Sequence, residues 1–115
     1  METQQKREVV KATNETIHEI VKQAIAELGN EADLNFIDVS EVTNMSRLFA
    51  MEETKSFNGD ISRWDVGQVA DMGWMFAYSQ FNGDISRWDV NNVTIHDDFA
   101  FYSKLEECHQ PHFKD

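Results

Sequence analysis

The first regular pattern along the chain is a helical one. Apolar residues recur there at intervals of three and four, at Ile17, Ile20, Val21, Ala24, Ile25 and Leu28. This spacing predicts an amphipathic helix over residues 13–28, with Thr13 as its N-cap and Gly29, a residue typical of helix C-termini, after its last turn. Because only one face of such a helix is apolar, we expect the helix to cover the end of the structure that follows it.

A repeat dominates the rest of the chain. The ten residues FNGDISRWDV occupy positions 57–66 and again positions 81–90, at a spacing of 24. A weaker copy over residues 34–39 precedes the first by 27 residues, and we expect the three additional residues, within 51–56, to form a longer surface loop. Repeats of roughly 20–30 residues are typical of solenoids, in which each unit buries its apolar face against the next.

Alignment of the copies places apolar residues opposite apolar residues. The aligned sets are Leu34, Ile61 and Ile85; Ile37, Trp64 and Trp88; Val39, Val66 and Val90; Val42, Val69 and Val93; Met45 and Met72; Leu48, Met75 and Phe99; Phe49 and Phe76; and Phe57 and Phe81. Their spacing along the chain is irregular, which fits neither a long helix nor a long strand. The alignment therefore predicts an interior built from short strands, corners and single helical turns.

Acidic residues also align between the copies, in two sets: Asp33, Asp60 and Asp84, and Asp38, Asp65 and Asp89. Such residues can ligate calcium, or they can accept hydrogen bonds from backbone N–H groups at corners; the apolar positions between them favour the second role. The Asn-Gly pairs at 58–59 and 82–83 predict tight turns in which glycine has a positive φ.

Residues 57–76, which fit the pattern F-N-G-D-I-S-x-W-D-V-x-x-V-x-D-M-x-x-M-F, resemble the BspA-like leucine-rich repeat of bacterial surface proteins, and the resemblance extends over about residues 34–103. It implies an α/β repeat fold: a short, right-handed, leucine-rich-repeat-like solenoid of under three coils of 24–27 residues, with an N-terminal capping helix. It also implies protein binding without catalysis, and a cell-surface or secreted location.

These patterns divide the chain into three segments. Residues 1–30 are predicted to form an N-terminal tail and the amphipathic capping helix, residues 31–103 the BspA-like repeats, and residues 104–115 a polar C-terminal tail. The first ten residues contain no apolar stretch of the kind found in secretory signals, so a cytoplasmic location is the alternative to the cell surface.

Charge and composition narrow the classes of function. The 115 residues suffice for one domain, and a formal net charge of −11 disfavours binding to nucleic-acid phosphates. The longest apolar run is too short to span a membrane, and a single cysteine excludes an intrachain disulfide. The sequence therefore favours a protein partner, with no nucleic acid and no membrane insertion.

Residues with catalytic or metal-binding chemistry are few, and they form no recognised pattern. Cys108, His109 and His112, with His96 nearby, lack the usual spacing of zinc ligands, so we assign them to a polar tail. No nucleophile motif surrounds a serine. The sequence predicts no enzyme, no catalytic residues, no metal site and no cofactor.

Candidate contact residues are those of interface type at aligned surface positions: Trp74 and Tyr78, and the set Phe36, Arg63 and Arg87. Trp74 aligns with Arg47 and Asp98, so its ring is expected to be partly exposed, although it can equally serve only to cover a turn. We hypothesise a non-catalytic, adhesion-type binding module that presents one face to a protein. The alternatives are a structural, self-assembling unit and a carbohydrate-binding surface, which exposed and coplanar Trp74 and Tyr78 rings would favour.

The end of the last copy is a candidate for self-association. Phe99, Phe101 and Tyr102 lie there, and Leu105 and Phe113 are the only large apolar residues in the tail that follows. Such a tail is expected to shield the end only in part. The remaining aromatic patch predicts a weak homodimer that salt promotes, because salt screens the repulsion between acidic copies.

Overall fold

The computed structural model describes residues 8–114. Within this range lie two short strands, one α-helix and one 3₁₀ helix: strand β1 is Val10–Lys11, helix α1 is Ile17–Leu28, strand β2 is Ile37–Asp38, and the 3₁₀ helix is Glu107–His109. The other described residues form turns and irregular segments. Residues 1–7 of the predicted N-terminal tail, and Asp115, lie outside the described residues.

Helix α1 forms where the apolar spacing predicts it, but it begins at Ile17 instead of Thr13. The Thr13 N–H donates to Thr16 Oγ1 at 2.9 Å, and the Thr13 carbonyl accepts the N–H of Ile17, so a separate turn precedes the helix. Gly29 follows the last turn with a φ of 97°, as expected for a helix C-terminus. The apolar stripe faces the core, with four residues buried and two partly buried: Ile17, Val21, Ala24 and Ile25, then Ile20 and Leu28.

Strand β1 anchors the segment before the helix to the first copy of the repeat. It pairs in parallel with β2, Val10 opposite Ile37 and Lys11 opposite Asp38. The Val10 N–H donates to the Phe36 carbonyl at 3.0 Å, and the Ala12 N–H donates to the Asp38 carbonyl at 2.9 Å. The sequence does not predict β1, because two exposed residues carry no alternating pattern.

Backbone hydrogen bonds hold the aligned segments beside one another. The N–H groups of Met45, Arg47 and Phe49 donate to the carbonyls of Asp71, Gly73 and Met75, and those of Met72, Trp74, Phe76 and Tyr78 donate to the carbonyls of Ile95, Asp97, Phe99 and Phe101. Residues 71–78 therefore lie between residues 44–49 and residues 95–101.

The predicted α/β solenoid of leucine-rich-repeat type is wrong. Such a fold has a strand together with a helix or 3₁₀ turn in each repeat. Here α1 precedes all the copies of the repeat. Among the described residues of the copies, β2 is the only strand with two or more residues, and isolated bridges replace the other strands. The apolar spacing is accommodated by turns closed three residues apart, as from Met75 to Met72 and from Phe99 to His96. The radius of gyration, 13.3 Å, is that of a compact globule of this length.

The interior contains the positions that alignment predicts, because every aligned apolar residue named above is buried. Buried residues of α1, together with Ala12 and Leu105, belong to the same core. Aromatic rings of neighbouring copies stack nearly parallel, with centroids 5.3 Å apart for Phe49 and Phe76, 6.0 Å for Phe57 and Phe81, and 6.4 Å for Trp64 and Trp88. Residue identity at aligned positions thus reports burial correctly, although the predicted architecture is wrong.

The two buried indole rings have their polar atoms satisfied. Trp64 Nε1 donates to the Leu34 carbonyl at 2.9 Å, and Trp88 Nε1 donates to the Ile61 carbonyl at 3.1 Å. Each bond runs from one copy to the copy before it. A buried N–H without a partner would cost stability, so these bonds fix how neighbouring copies are aligned.

The predicted corner role of the aligned aspartates is confirmed. In each of the six, Oδ1 accepts the backbone N–H two residues later at 2.9 or 3.0 Å; the pairs are Asp33–Asn35, Asp38–Ser40, Asp60–Ser62, Asp65–Gly67, Asp84–Ser86 and Asp89–Asn91. Backbone and side-chain hydrogen bonds from Ser62 lower the pKa of Asp60, because they stabilise its charged form.

The glycines of the two Asn-Gly pairs have a different role from the predicted one. Neither Gly59 nor Gly83 has a positive φ. A Cβ atom at Gly59 would overlap the Ala32 carbonyl oxygen and would lie 2.7 Å from the Phe57 ring; at Gly83 it would lie 2.7 Å from the Phe81 ring. Glycine is required here because other groups approach closely.

Candidate functional site

Four aromatic side chains that are exposed or half-buried gather on one surface of the molecule. Tyr78 is 52% exposed, Tyr102 79% and Phe101 37%, and Trp74 is half-buried. We call these four residues the aromatic surface. Trp74 and Tyr78 were predicted as partner contacts, and Phe101 and Tyr102 as self-association residues. The structure joins the two predicted groups into one.

The backbone places these residues together. The Trp74 N–H donates to the Asp97 carbonyl at 3.0 Å, and the Tyr78 N–H donates to the Phe101 carbonyl at 2.8 Å. Residues 74–78 therefore run directly beside residues 97–101. The signal in the sequence is the 24-residue interval from Tyr78 to Tyr102, which repeats the interval between the two identical copies.

Phe101 is the centre of the aromatic surface. Its ring meets Trp74 at 5.5 Å and 63°, and Tyr78 at 5.7 Å and 86°, while Tyr102 lies 4.6 Å away. Edge-to-face contacts bring the positive edge of one ring to the negative face of another, so they hold the side chains in place. The aromatic surface is thus an organised cluster.

Three of the four residues hold an unfavourable backbone conformation. The φ angles of Trp74, Tyr78 and Tyr102 are 57°, 62° and 52°. Large side chains rarely adopt this left-handed region, which costs on the order of 1–3 kcal/mol per residue and is concentrated at functional positions. Arg47 and Asp98, which align with Trp74, share the conformation, with φ angles of 60° and 55°. The same backbone conformation therefore recurs at this position in all three copies, but only the middle copy has an aromatic residue there.

A cleft of about 330 Å³ borders the aromatic surface. Its lining residues are Arg47, Ala50, Met51, Glu52, Glu53, Trp74, Ala77 and Tyr78. The Arg47 guanidinium lies 5.5 Å from the centre of the Trp74 ring, a cation–π distance. The predicted longer loop, residues 51–56, contributes the exposed Met51 and two exposed carboxylates to the cleft. The site therefore combines aromatic area with an acidic rim.

The other predicted partner contacts lie apart from the aromatic surface. Phe36 and Arg63 line a second cleft, which shares no lining residue with the first. Phe36 is half-buried and packs against the core, whereas Arg63 and Arg87 are exposed. Hydrogen bonds from Ser86, and less strongly the charge of Arg87, lower the pKa of Asp84. The structure thus brings Phe36 together with Arg63 but not with Trp74 or Tyr78.

Phe99 does not belong to the exposed patch in which it was predicted. It is 5% exposed, and its ring lies 5.3 Å from Phe76 and 5.0 Å from Phe113. The tail folds back to provide this cover, and the Ile85 N–H donates to the His109 carbonyl at 2.9 Å. The expectation of partial shielding therefore holds for Phe101 and Tyr102 but is wrong for Phe99.

The tail also brings together three potential metal ligands. Glu106, Cys108 and His109 each offer a ligand atom within 4.8 Å of the other two. Of the histidines considered with Cys108 from the sequence, His96 stacks on Phe113 at 4.2 Å and His112 lies outside the group. Glu106 was not predicted, because its approach depends on how the tail folds back.

Comparison with known proteins places the chain in a family. The family model described as "Mycoplasma protein of unknown function, DUF285" matches residues 15–109, which is most of the chain. The chain belongs to the DUF285 family. The DUF285 match includes α1, all copies of the repeat, the aromatic surface and the three potential metal ligands. No curated protein and no solved structure matches the chain.

No helix within residues 8–114 of this DUF285 protein combines the length and the apolar character needed to cross a lipid bilayer.

Proposed function

We propose that this DUF285 chain is a non-catalytic protein-binding module and that the aromatic surface is its contact site. The observation that carries the proposal is the exposed cluster of Trp74, Tyr78, Phe101 and Tyr102, three of them at strained backbone positions. Tryptophan, tyrosine and arginine dominate the energetic centres of protein interfaces, and exposed aromatic area gains free energy when a partner buries it. The resemblance of residues 57–76 to repeats of bacterial surface proteins supports the same class of function and an adhesion-type role at the cell surface.

Charge indicates the chemistry of the partner. The net charge is −11, and Glu52 and Glu53 are exposed at the rim of the cleft beside Tyr78. A partner that offers an apolar side chain next to Lys or Arg would fill the cleft and meet the carboxylates. Because the rim charges are exposed, added salt should slow association more than it speeds dissociation.

A carbohydrate-binding surface is less well supported. Sugars stack on open aromatic faces, and the Arg47 guanidinium already lies over the Trp74 ring at 5.5 Å. Phe101 meets both Trp74 and Tyr78 at steep angles, 63° and 86°, which fills the space beside their rings with a third ring. The geometry resembles a protein contact more than a sugar platform.

The test is a selection of random displayed peptides on the immobilised chain, followed by affinity measurements on variants. We expect enriched peptides to carry Lys or Arg beside an apolar residue. Tyr78→Ala should weaken their binding by roughly 30-fold, the loss typical of an interface centre. Arg87→Ala is the control, since Arg87 is exposed and does not line the cleft beside the aromatic surface. Binding that is lost in Arg87→Ala and retained in Tyr78→Ala would contradict the proposal.

Self-association is a second candidate, and the exposure of one residue favours it. Tyr102 is 79% exposed and lies 5.9 Å from Tyr78 and 4.6 Å from Phe101. In a two-fold dimer the same patch of each copy would face its counterpart, and the rings would be buried on both sides. The weak homodimer remains a proposal alongside binding to a different protein.

A further inference from the structure

We propose a site for a divalent transition metal, with zinc as the best fit, formed by Glu106, Cys108 and His109. A ligand atom of each residue lies within 4.8 Å of the other two. The 3₁₀ helix Glu107–His109 produces this arrangement, because its turn is closed by the His109 N–H donating to the Glu106 carbonyl at 2.9 Å. Thiolate sulfur, imidazole nitrogen and carboxylate oxygen are the donor types that Zn²⁺ uses.

Asn82, which belongs to the second identical copy of the repeat, orients two of the three ligands. Its Oδ1 accepts the Glu106 backbone N–H at 2.9 Å, and its Nδ2 donates to Glu106 Oε2 at 3.2 Å. These two bonds fix which end of the amide is oxygen. The Glu106 carboxylate is therefore held over the turn, and its other oxygen, Oε1, lies 3.9 Å from Cys108 Sγ.

The same Asn82 oxygen determines which nitrogen of His109 is available. His109 Nδ1 lies 3.0 Å from Asn82 Oδ1, and an amide oxygen can only accept a hydrogen bond. In the neutral imidazole Nδ1 therefore carries the proton, and Nε2 is the nitrogen that offers a lone pair to a metal. Metal-binding histidines are commonly oriented in this way by a hydrogen bond from their second nitrogen.

The distances fit an ion after a small movement. Zinc bonds of about 2.0–2.3 Å place tetrahedral ligands about 3.3–3.8 Å apart, and the present limit is 4.8 Å. Glu106 and Cys108 are exposed, so rotation of their side chains can bring a carboxylate oxygen and Sγ toward an ion on His109 while Asn82 holds the imidazole. The fourth position of the tetrahedron is left to water or to a donor from another molecule.

Such a site would join the tail to the repeat. Glu106 and His109 belong to the tail, while Asn82 lies next to Gly83 in the second copy. A bound ion would hold the turn over residues 106–109 in the conformation that Asn82 already supports. We therefore expect metal to stabilise the folded chain as well as to bind it.

The experiment is a titration of the reduced, full-length chain with Co²⁺, which gives a thiolate-to-cobalt absorption band, followed by displacement with Zn²⁺. We expect one equivalent to bind and the midpoint of thermal unfolding to rise. Cys108→Ser should abolish the band, and His109→Gln and Glu106→Gln should each weaken binding at least about tenfold. Asn82→Ala should weaken it about 10–100-fold through loss of orientation. His112→Gln, an exposed histidine outside the group, is the matched control and should bind as the wild type does.

Three results would overturn the proposal: no cobalt band at one equivalent, a band unchanged in His109→Gln, or a loss in His112→Gln as large as that in His109→Gln. Because Asn82→Ala also removes an acceptor from the tail backbone, thermal unfolding without metal is measured for each variant. The Glu106→Gln and His109→Gln variants leave Asn82 intact, so they decide the question even if Asn82→Ala unfolds.

Discussion

At the scale of single residues, the tightest constraints are contacts between neighbouring copies. Gly59 and Gly83 occupy the same position in two identical decapeptides, yet their surroundings differ. A Cβ atom at Gly59 would overlap the Ala32 backbone, whereas at Gly83 the nearest backbone atom, the Gly59 carbonyl oxygen, would be 3.3 Å away. The ring of the preceding phenylalanine is equally close in both cases. Identical decapeptides therefore differ in how well they tolerate substitution of this glycine, because different backbone atoms lie beside it.

This difference gives a direct prediction. Gly59→Ala should lower the free energy of unfolding by about 1–3 kcal/mol more than Gly83→Ala does, because backbone overlap forces the copies apart. The effect of alanine on the unfolded chain is the same for both and cancels in the comparison. Denaturant unfolding of the two variants measures it. Equal losses would show that the ring contacts, and not the Ala32 backbone, set the requirement for glycine.

Residue environments were the part of the structure that the sequence predicted best. The aligned apolar residues are buried, and Trp74, aligned with Arg47 and Asp98, is half-buried as expected. Alignment works because residues at equal positions share neighbours. It failed for the role of Gly59, since a close approach between backbones leaves no mark in composition. For Phe99 alignment was right, and the separate expectation of an exposed patch was wrong because the distant Phe113 covers the ring.

At the scale of elements, short turns closed by aspartate replace most of the regular secondary structure. Each aligned carboxylate accepts a hydrogen bond from a backbone N–H that would otherwise have no partner at a corner. In Asp60 and Asp84 the serine two residues later adds a hydroxyl hydrogen bond, at 2.8 and 2.7 Å. These bonds lower the pKa of both carboxyl groups from 3.8, so the turns are coupled to pH.

The sign of this coupling is fixed by the direction of the shifts. In the unfolded chain these groups titrate near 3.8, and in the folded chain they titrate lower. Their contribution to the free energy of unfolding is therefore complete above the pKa of the unfolded chain, and it is lost as the pH falls through the pKa of the folded chain. We expect Asp60→Asn/Asp84→Asn to lose less stability than the wild type between about pH 5 and about pH 2, because asparagine still accepts the hydrogen bonds but does not titrate.

Denaturant unfolding at a series of pH values tests this expectation. Asp97→Asn is the control, since Asp97 is exposed and, within residues 8–114, no donor forms a hydrogen bond to its carboxylate. If the double variant loses stability at acid pH as steeply as the wild type does, the two turns do not contribute to the pH dependence of the free energy of unfolding.

Elements were predicted unevenly. Helix α1 was predicted because a long stripe of apolar residues has one explanation, and its start was displaced by the Thr13–Thr16 turn. Strand β1 was missed because its two residues gain their pairing from β2 and not from their own pattern. The leucine-rich-repeat fold was wrong because a resemblance in sequence pattern does not require each copy to form a strand and a helix.

At the scale of the whole molecule, a strongly acidic chain carries one aromatic surface. A net charge of −11 repels copies of the chain from one another, while Phe101 and Tyr102 favour contact between them. Salt weakens the repulsion, because it screens exposed charges beyond about 8 Å at physiological strength, and it leaves the aromatic contact in place. The balance between the two should therefore be visible as salt-dependent association.

We expect weak dimerisation that increases with salt and decreases in Tyr102→Asp and Phe101→Asp. Sedimentation equilibrium at high protein concentration, with and without salt, measures it. Val9→Asp introduces the same charge at a 71% exposed apolar residue of the second cleft, which does not include Trp74 or Tyr78, so it should dimerise nearly as the wild type does. If every variant and the wild type stay monomeric in high salt, the aromatic surface serves a different partner.

The candidate site could be predicted only in part. Residue type identified Trp74, Tyr78, Phe101 and Tyr102 one by one, but that they form one surface depends on residues 74–78 lying beside residues 97–101. Likewise, Cys108 and His109 were noticed, and Glu106 was not, because Asn82 brings it into place across 24 residues. Contacts between distant parts of the chain are what residue patterns leave out.

The three tryptophans have one further consequence, for spectroscopy. Trp64 and Trp88 are buried, with their indole N–H groups bonded to backbone carbonyls, whereas Trp74 is half-buried at the edge of the aromatic surface. A polar quencher dissolved in water therefore reaches Trp74 before the other two. Fluorescence that the quencher suppresses reports on events at the aromatic surface, and fluorescence that survives it reports on the integrity of the interior. The chain thus contains separate optical probes of binding and of folding, with no added label.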